Sequence, residues 1–170
     1  STVATVTEIY DYMRVLYARA GIPYSPFTGK PIESQTISQI VDKIKGLPKK
    51  ATIYLFAPVV RGRKGEYKKE ILNFKKRGFR KIKIDSTLYD IDKVPELNKK
   101  IKHDISILVD RIILNSSLGN RLAEGIEAAI NLAGGLLFVE YEDETLPKKF
   151  RKLEKLIFST KFACPESGFT

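Results

Sequence analysis

The residues that could do chemistry in this chain are few. Gly62-Arg63-Lys64-Gly65 is the nearest approach to a phosphate cradle. It sits between an apolar run and an amphipathic run, the strand–turn–helix setting in which backbone amides and a helix N-terminus receive an anion. It lacks the spacing of a P-loop and the Ser or Thr that would hold Mg²⁺, so a charged turn is the better reading. Arg61, Arg63 and Lys64 are kept as candidate anion or DNA contacts.

His103 is the single histidine and Cys164 the single cysteine. No Ser or Cys nucleophile stands at meaningful spacing from His103, which favours a structural or exposed role over catalysis. No carboxylate pair is marked for general acid–base work. Cys164-Pro165-Glu166-Ser167-Gly168 has the shape of half a zinc knuckle with Ser at the second ligand position; one thiol holds no structural zinc unaided, so no metal is expected in this stretch. No disulfide can form within the chain, which fits a reducing compartment. The residues contain no catalytic constellation, and an enzyme is not expected from these positions alone.

Charge is the stronger signal. Of 170 residues, 43% are apolar and 29% charged, a globular composition with a formal net charge of +10. The excess is local: Arg61–Lys83 carries eleven Lys and Arg against Glu66 and Glu70, a net of +9. Such a block suits a polyanion or an acidic protein surface. No apolar run reaches the ~20 residues a membrane helix needs, and Ser1–Thr7 does not read as a secretory leader. A cytoplasmic location with no membrane partner is expected.

The elements that would position these residues follow from periodicity. A capping box at Thr5 and Glu8 opens a helix over about 6–20, ended by Gly21. A Pro/Gly loop follows over 22–32. Thr36 and Gln39 cap a second helix whose apolar face is Ile37, Ile40, Val41 and Ile44, ended by Gly46 and Pro48. Ala51–Val60 reads as a buried strand, 61–65 as a basic loop, Glu66–Arg77 as a helix, and Lys81–Asp85 as a strand turning at Asp85-Ser86-Thr87 into Leu88–Ile91. Ile105–Leu114 is a long strand. A helix capped by Ser116 or Ser117 runs to about Ala133, and Leu136–Tyr141 is a further strand. Asp143–Lys155 is a charged connector before a last strand at Ile157–Ala163. The fold class is α/β or α+β: a mixed β-sheet with helices packed on it, preceded by an N-terminal helix pair. The organisation is an N-terminal helical segment and loop over 1–48, a core over 49–142, and a connector and final strand over 143–170.

Several segments together resemble one family. Ser1–Tyr12 with Arg14, Leu16 and Arg19 is similar to the STVGTVTEIYDYLRLLYAR segment of the UvrA family of excinuclease components. Ala57–Glu66 resembles its APVVRGRKGE. Lys99, Lys100 and His103, then Val109–Arg111, resemble KKH…VVDR. Arg121–Glu124 matches RLAE, and Phe158–Pro165 resembles FS..FACP. The segments occur in the family's order and span nearly the whole chain.

The resemblance implies part of a longer protein: a homodimeric ATP-binding-cassette ATPase of bacterial nucleotide excision repair that finds distorted DNA and loads UvrB. ATP with Mg²⁺ and zinc would belong to that parent, and none of them to this stretch. The stretch is similar to the insertion that docks UvrB, and partner binding then falls to Lys81, Arg111 and Glu124, extended by Lys83 and Arg121. Lys81 and Lys83 point to one face of a strand, opposite Ile82 and Ile84. The alternative is a direct DNA-binding module using the basic 61–83 surface. The chain departs from the family at Ala4, Ser25, Thr28, Ser86 and Ser167. Ser86 stands where an Asp-Gly turn has Gly, at a cost of ~1 kcal/mol if positive φ is kept.

Overall fold

The central strand is the longest apolar run in the chain. In the computed structural model, which describes residues 32–161, it forms β1 (Thr52–Lys64). Five more strands follow: β2 (Lys81–Ile84), β3 (Thr87–Asp90), β4 (Lys102–Ile113), β5 (Leu136–Glu142) and β6 (Leu153–Ser159). They make one sheet in the order β3-β2-β4-β1-β5-β6. Every strand pairing in it is antiparallel, and a parallel bridge joins Ser34 to Ser159. Three helices accompany it: α1 (Ile37–Lys45), α2 (Lys68–Lys76) and α3 (Arg121–Ala133). The α+β class read from the sequence therefore holds. The helix expected over 6–20, and with it half of the N-terminal helix pair, lies outside the described residues, as do Ser25, Thr28, Cys164 and Ser167.

Helix α1 forms where its sequence says it should. Thr36 Oγ1 accepts from the Gln39 amide at 3.1 Å, and the Thr36 amide donates to Gln39 Oε1 at 2.9 Å. That reciprocal pair satisfies two of the orphan donors at the helix start. Ile40 and Ile44, one turn apart, are fully buried, each contributing roughly 2–3 kcal/mol of burial.

All three helices lie on one side of the sheet. Ile53, Leu55 and Ala57 alternate along β1 and meet Leu122, Ile126 and Ala129 of α3 and Ile40 and Ile44 of α1 in one buried cluster. Helix α3 crosses β1 closely at Gly125. A β-carbon there would stand 2.8 Å from Leu55 Cδ1, so glycine is what lets the two elements approach. A second cluster, of Ile82, Ile84, Ile105 and Ile107, is capped by Ile71 and Phe74 of α2. Ala57, Ile107 and Ile82 stand opposite one another across β1, β4 and β2, so both clusters lie on the same face.

Four local expectations are corrected. The basic loop at 61–65 does not exist as a loop: β1 continues to Lys64, paired Arg63 to His103 and Lys64 to Lys102. The ladder is irregular there, and Gly62 takes φ +66° with its amide donating to Asp104 Oδ1 at 2.7 Å. The Gly62 amide, one of those a phosphate cradle would use, already serves an intrachain carboxylate. Neither Ser116 nor Ser117 caps α3. Ser117 turns back to Asn115 Oδ1, and the helix begins after Asn120, whose side chain makes no cap. Strand β4 starts three residues earlier than expected because His103 is anchored inside. The charged connector ends at Lys152, and β6 uses Leu153–Ser159 as an edge strand of the sheet.

Candidate docking face

The other side of the sheet carries no helix among the described residues, and the strand register decides what it presents. Residues that pair across strands project to the same side. Arg111, Tyr54, Glu140 and Lys155 form one such row across β4, β1, β5 and β6. Lys83 on β2 pairs with Leu88 and Ser106 and lies on the same side, because Ile82 and Ile84 face the helices. Phe56, two residues from Tyr54, stands opposite Phe138.

Two cations lie over two rings on this face. Lys83 Nζ is 4.8 Å from the centre of the Phe56 ring and reaches across it to an ion pair with Glu140 Oε2. The pair is well shielded, with 20% of the Lys83 side chain and 12% of the Glu140 side chain exposed, and it explains how Phe56 is buried without a helix above it. Arg111 Cζ lies 6.0 Å from the centre of the Tyr54 ring, and Arg111 is exposed. Arg111 makes no ion pair among the described residues. At the corners of the face Leu88, Ile113 and Leu153 are exposed apolar side chains. Charge over aromatic, with aliphatic corners, is a surface made for a protein partner rather than for a small substrate.

The other sequence-derived site residues divide. Lys81 shares the face with Lys83 and forms an ion pair with Asp90 across the β2–β3 hairpin; that contact holds the Asp90 carboxyl below the usual carboxylate range. Arg121 grips Asp110 with two hydrogen bonds, Nε to Oδ2 at 3.0 Å and Nη2 to Oδ1 at 2.9 Å, and donates to the Arg111 carbonyl at 3.3 Å. It steadies the backbone that presents Arg111. Glu124 is exposed on α3, in the helical layer rather than on the open face. Arg61, Arg63 and Lys64 lie at the far end of β1, roughly 23–33 Å along the strand from Tyr54 at ~3.3 Å per residue. Tyr54, Phe56 and Glu140 were missed as site residues. Their signal was available: two aromatics at i and i+2 in an apolar strand, on the side opposite its isoleucine and leucine.

The basic stretch is less positive in three dimensions than in sequence. Lys68 lies 3.5 Å from Glu66 and 3.4 Å from Glu96, Lys75 lies 2.6 Å from Asp92, and Lys81 and Lys83 sit on Asp90 and Glu140. His103 is structural. It is buried, with Nδ1 at 2.6 Å from Asp85 Oδ2 and Nε2 at 2.7 Å from the Asn98 carbonyl. The carbonyl can only accept, so Nε2 donates, and a donating Nδ1 makes the ring an imidazolium against the Asp85 carboxylate. Burial is the largest influence and lowers its pKa; the bonds to Asp85 and Asn98 and the charges of Asp85 and Asp104 outweigh it, so the net shift is upward. Asp85 also accepts from the Asp104 amide at 2.9 Å, fastening the β2–β3 turn to β4. No group of three or more His, Cys, Asp or Glu is placed to hold a metal ion among the described residues. No helix among them is long and apolar enough to cross a membrane.

A sheet backed by helices on one side, with ring-supported cations on the other, is the form of an interaction domain. The chain belongs to the UvrA interaction domain family, whose profile matches residues 35–143. It is 53% identical over 182 aligned positions to UvrABC system protein A of Bradyrhizobium diazoefficiens and 52% identical over 181 to that of Mesorhizobium japonicum. The same protein of Rickettsia felis is 53% identical over 171 positions. These alignments cover 99–100% of the chain but 18–19% of each relative, so the chain spans about a fifth of their length.

Proposed function

We propose that this domain docks UvrB through its helix-free sheet face, within a longer UvrA protein that acts in nucleotide excision repair, binds DNA, hydrolyses ATP and works as a homodimer. The observation that carries the reading is Arg111. It is an exposed guanidinium lying over Tyr54, on a backbone held by Arg121, and without a carboxylate of its own among the described residues. A partner acid meeting it would gain a preoriented, bidentate contact beside apolar surface. Lys81 at the hairpin edge adds long-range steering.

The direct DNA-binding reading draws less support. Four lysines of the 61–83 stretch are engaged by carboxylates, and Gly62 offers no free amide. The test is calorimetric titration of UvrB into the chain at two salt concentrations. Arg111→Glu with Lys81→Glu should weaken binding by ~2–5 kcal/mol while leaving far-ultraviolet circular dichroism unchanged. Full affinity in that folded double variant overturns the assignment. Affinity for duplex DNA that falls steeply with salt, in a chain that ignores UvrB, would establish the other reading instead.

A further inference from the structure

A cavity of about 480 Å³ lies at one end of the sheet, between the link from α1 to β1 and the link from β4 to α3. Its apolar lining is Leu47, Leu114 and Leu118; Leu114 is buried and the other two are half-buried. Lys45, Lys49 and Lys50 line it as well and are all exposed. Five other lysines of the fold, Lys68, Lys75, Lys81, Lys83 and Lys93, lie within 4.0 Å of a carboxylate. None of the three at this cavity does among the described residues. Three exposed ammonium groups at one opening, with no carboxylate beside them among the described residues, give it a positive rim suited to an anion.

Lys45 has a local use, since a cation in the last turn of α1 complements the helix dipole. Lys49 and Lys50 lie beyond that helix and have none. Lys50 is moreover held at φ +69°, its amide donating to the Leu114 carbonyl at 3.0 Å, so the residue at the edge of the cavity is fixed in place. The size is that of a pocket for a ligand group of moderate bulk. Among the described residues the apolar lining is aliphatic, with no ring to stack a base, which argues against single-stranded nucleic acid.

We infer that this cavity is a second docking site, taking an acidic peptide segment that buries one bulky apolar side chain against Leu47, Leu114 and Leu118 while its carboxylates meet Lys45, Lys49 and Lys50. The site shares no residue with the docking face and does not depend on it.

The experiment is fluorescence anisotropy with the 170-residue chain and three labelled probes. They are an Asp/Glu-rich peptide with a central phenylalanine, the same peptide with alanine at that place, and oligothymidylate. The phenylalanine peptide should bind. Lys45→Glu with Lys49→Glu should weaken it about tenfold or more, phenylalanine to alanine in the probe by a similar factor, and Arg111→Glu not at all. Lys49→Ala should give a smaller loss in the same direction and needs no charge reversal. Equal binding of the alanine peptide, preference for oligothymidylate, indifference to the lysine changes, or no binding up to about 1 mM would each overturn the site. Self-association of the chain that disappears in the lysine variant would assign the cavity to a second copy and overturn it as well. Because UvrB docking is read through Arg111, failure of one proposal leaves the other standing.

Discussion

Replacing Lys83 with methionine removes one ammonium and keeps the chain length and apolar cover over Phe56. What remains is a Glu140 carboxylate with only 12% of its side chain exposed and without the Lys83 ammonium, its cross-strand neighbour on β6 being Lys155. Breaking a fully buried pair costs ~3–5 kcal/mol and losing an exposed one ~0–1 kcal/mol. With 20% and 12% exposure the pair lies nearer the buried limit, and the contact of Lys83 with the Phe56 ring adds up to ~1 kcal/mol. The expected loss is about 2–4 kcal/mol, seen as a lower urea midpoint with unchanged slope and a Tm lower by roughly 5–15 °C. The double variant Lys83→Met with Glu140→Leu should return to within about 1 kcal/mol of the starting stability, because no uncompensated charge is left. The coupling in the cycle should therefore be ~2 kcal/mol or more. Additive losses, or a single-variant loss below ~0.5 kcal/mol, would show an ordinary exposed pair and refute the view that it shields Phe56.

Three further outcomes are expected. Because the His103 pKa is raised in the fold, its stabilisation is complete below the unfolded value of about 6.5 and is lost as pH rises through the folded value. Urea midpoints should fall over that window in the native chain, and His103→Gln should flatten this part of the profile. Asp85 and Ser86 both have positive φ, 48° and 73°, as a two-residue type I′ turn demands, so Ser86→Gly should raise stability by ~1 kcal/mol in thermal melts. Gly125→Ala gains ~1 kcal/mol of helix propensity but drives a methyl into fully buried Leu55 Cδ1, where overpacking costs ~1–3 kcal/mol; a net loss of up to ~2 kcal/mol should appear on urea unfolding.

What was legible in the sequence was local. The Thr36–Gln39 box, the alternation of Ile82 and Ile84 with lysines, and the positive-φ turn at Ser86 each depend on residues within a few positions, and each stands as read. What was not legible depends on distant partners. Gly62 reads as a turn until Asp104, from the neighbouring strand, takes its amide. Lys83 reads as a free surface charge until Glu140, three strands along the sheet, neutralises it. Arg111 and Lys81 gain a common face only through the register of β4, β2 and β1, which no spacing encodes. Ser117 had cap chemistry, but its amide and its hydroxyl both donate to Asn115 Oδ1.

The bridge between Ser34 and Ser159 has a mechanical consequence. The Gln35 amide donates to the Ser159 carbonyl at 2.9 Å and Ser34 Oγ to the Thr160 carbonyl at 2.8 Å, so the incoming and outgoing strands of the folded unit are clasped side by side. A longer polypeptide can thus carry the unit as a side branch whose attachment points need a gap of only about one strand spacing, ~5 Å.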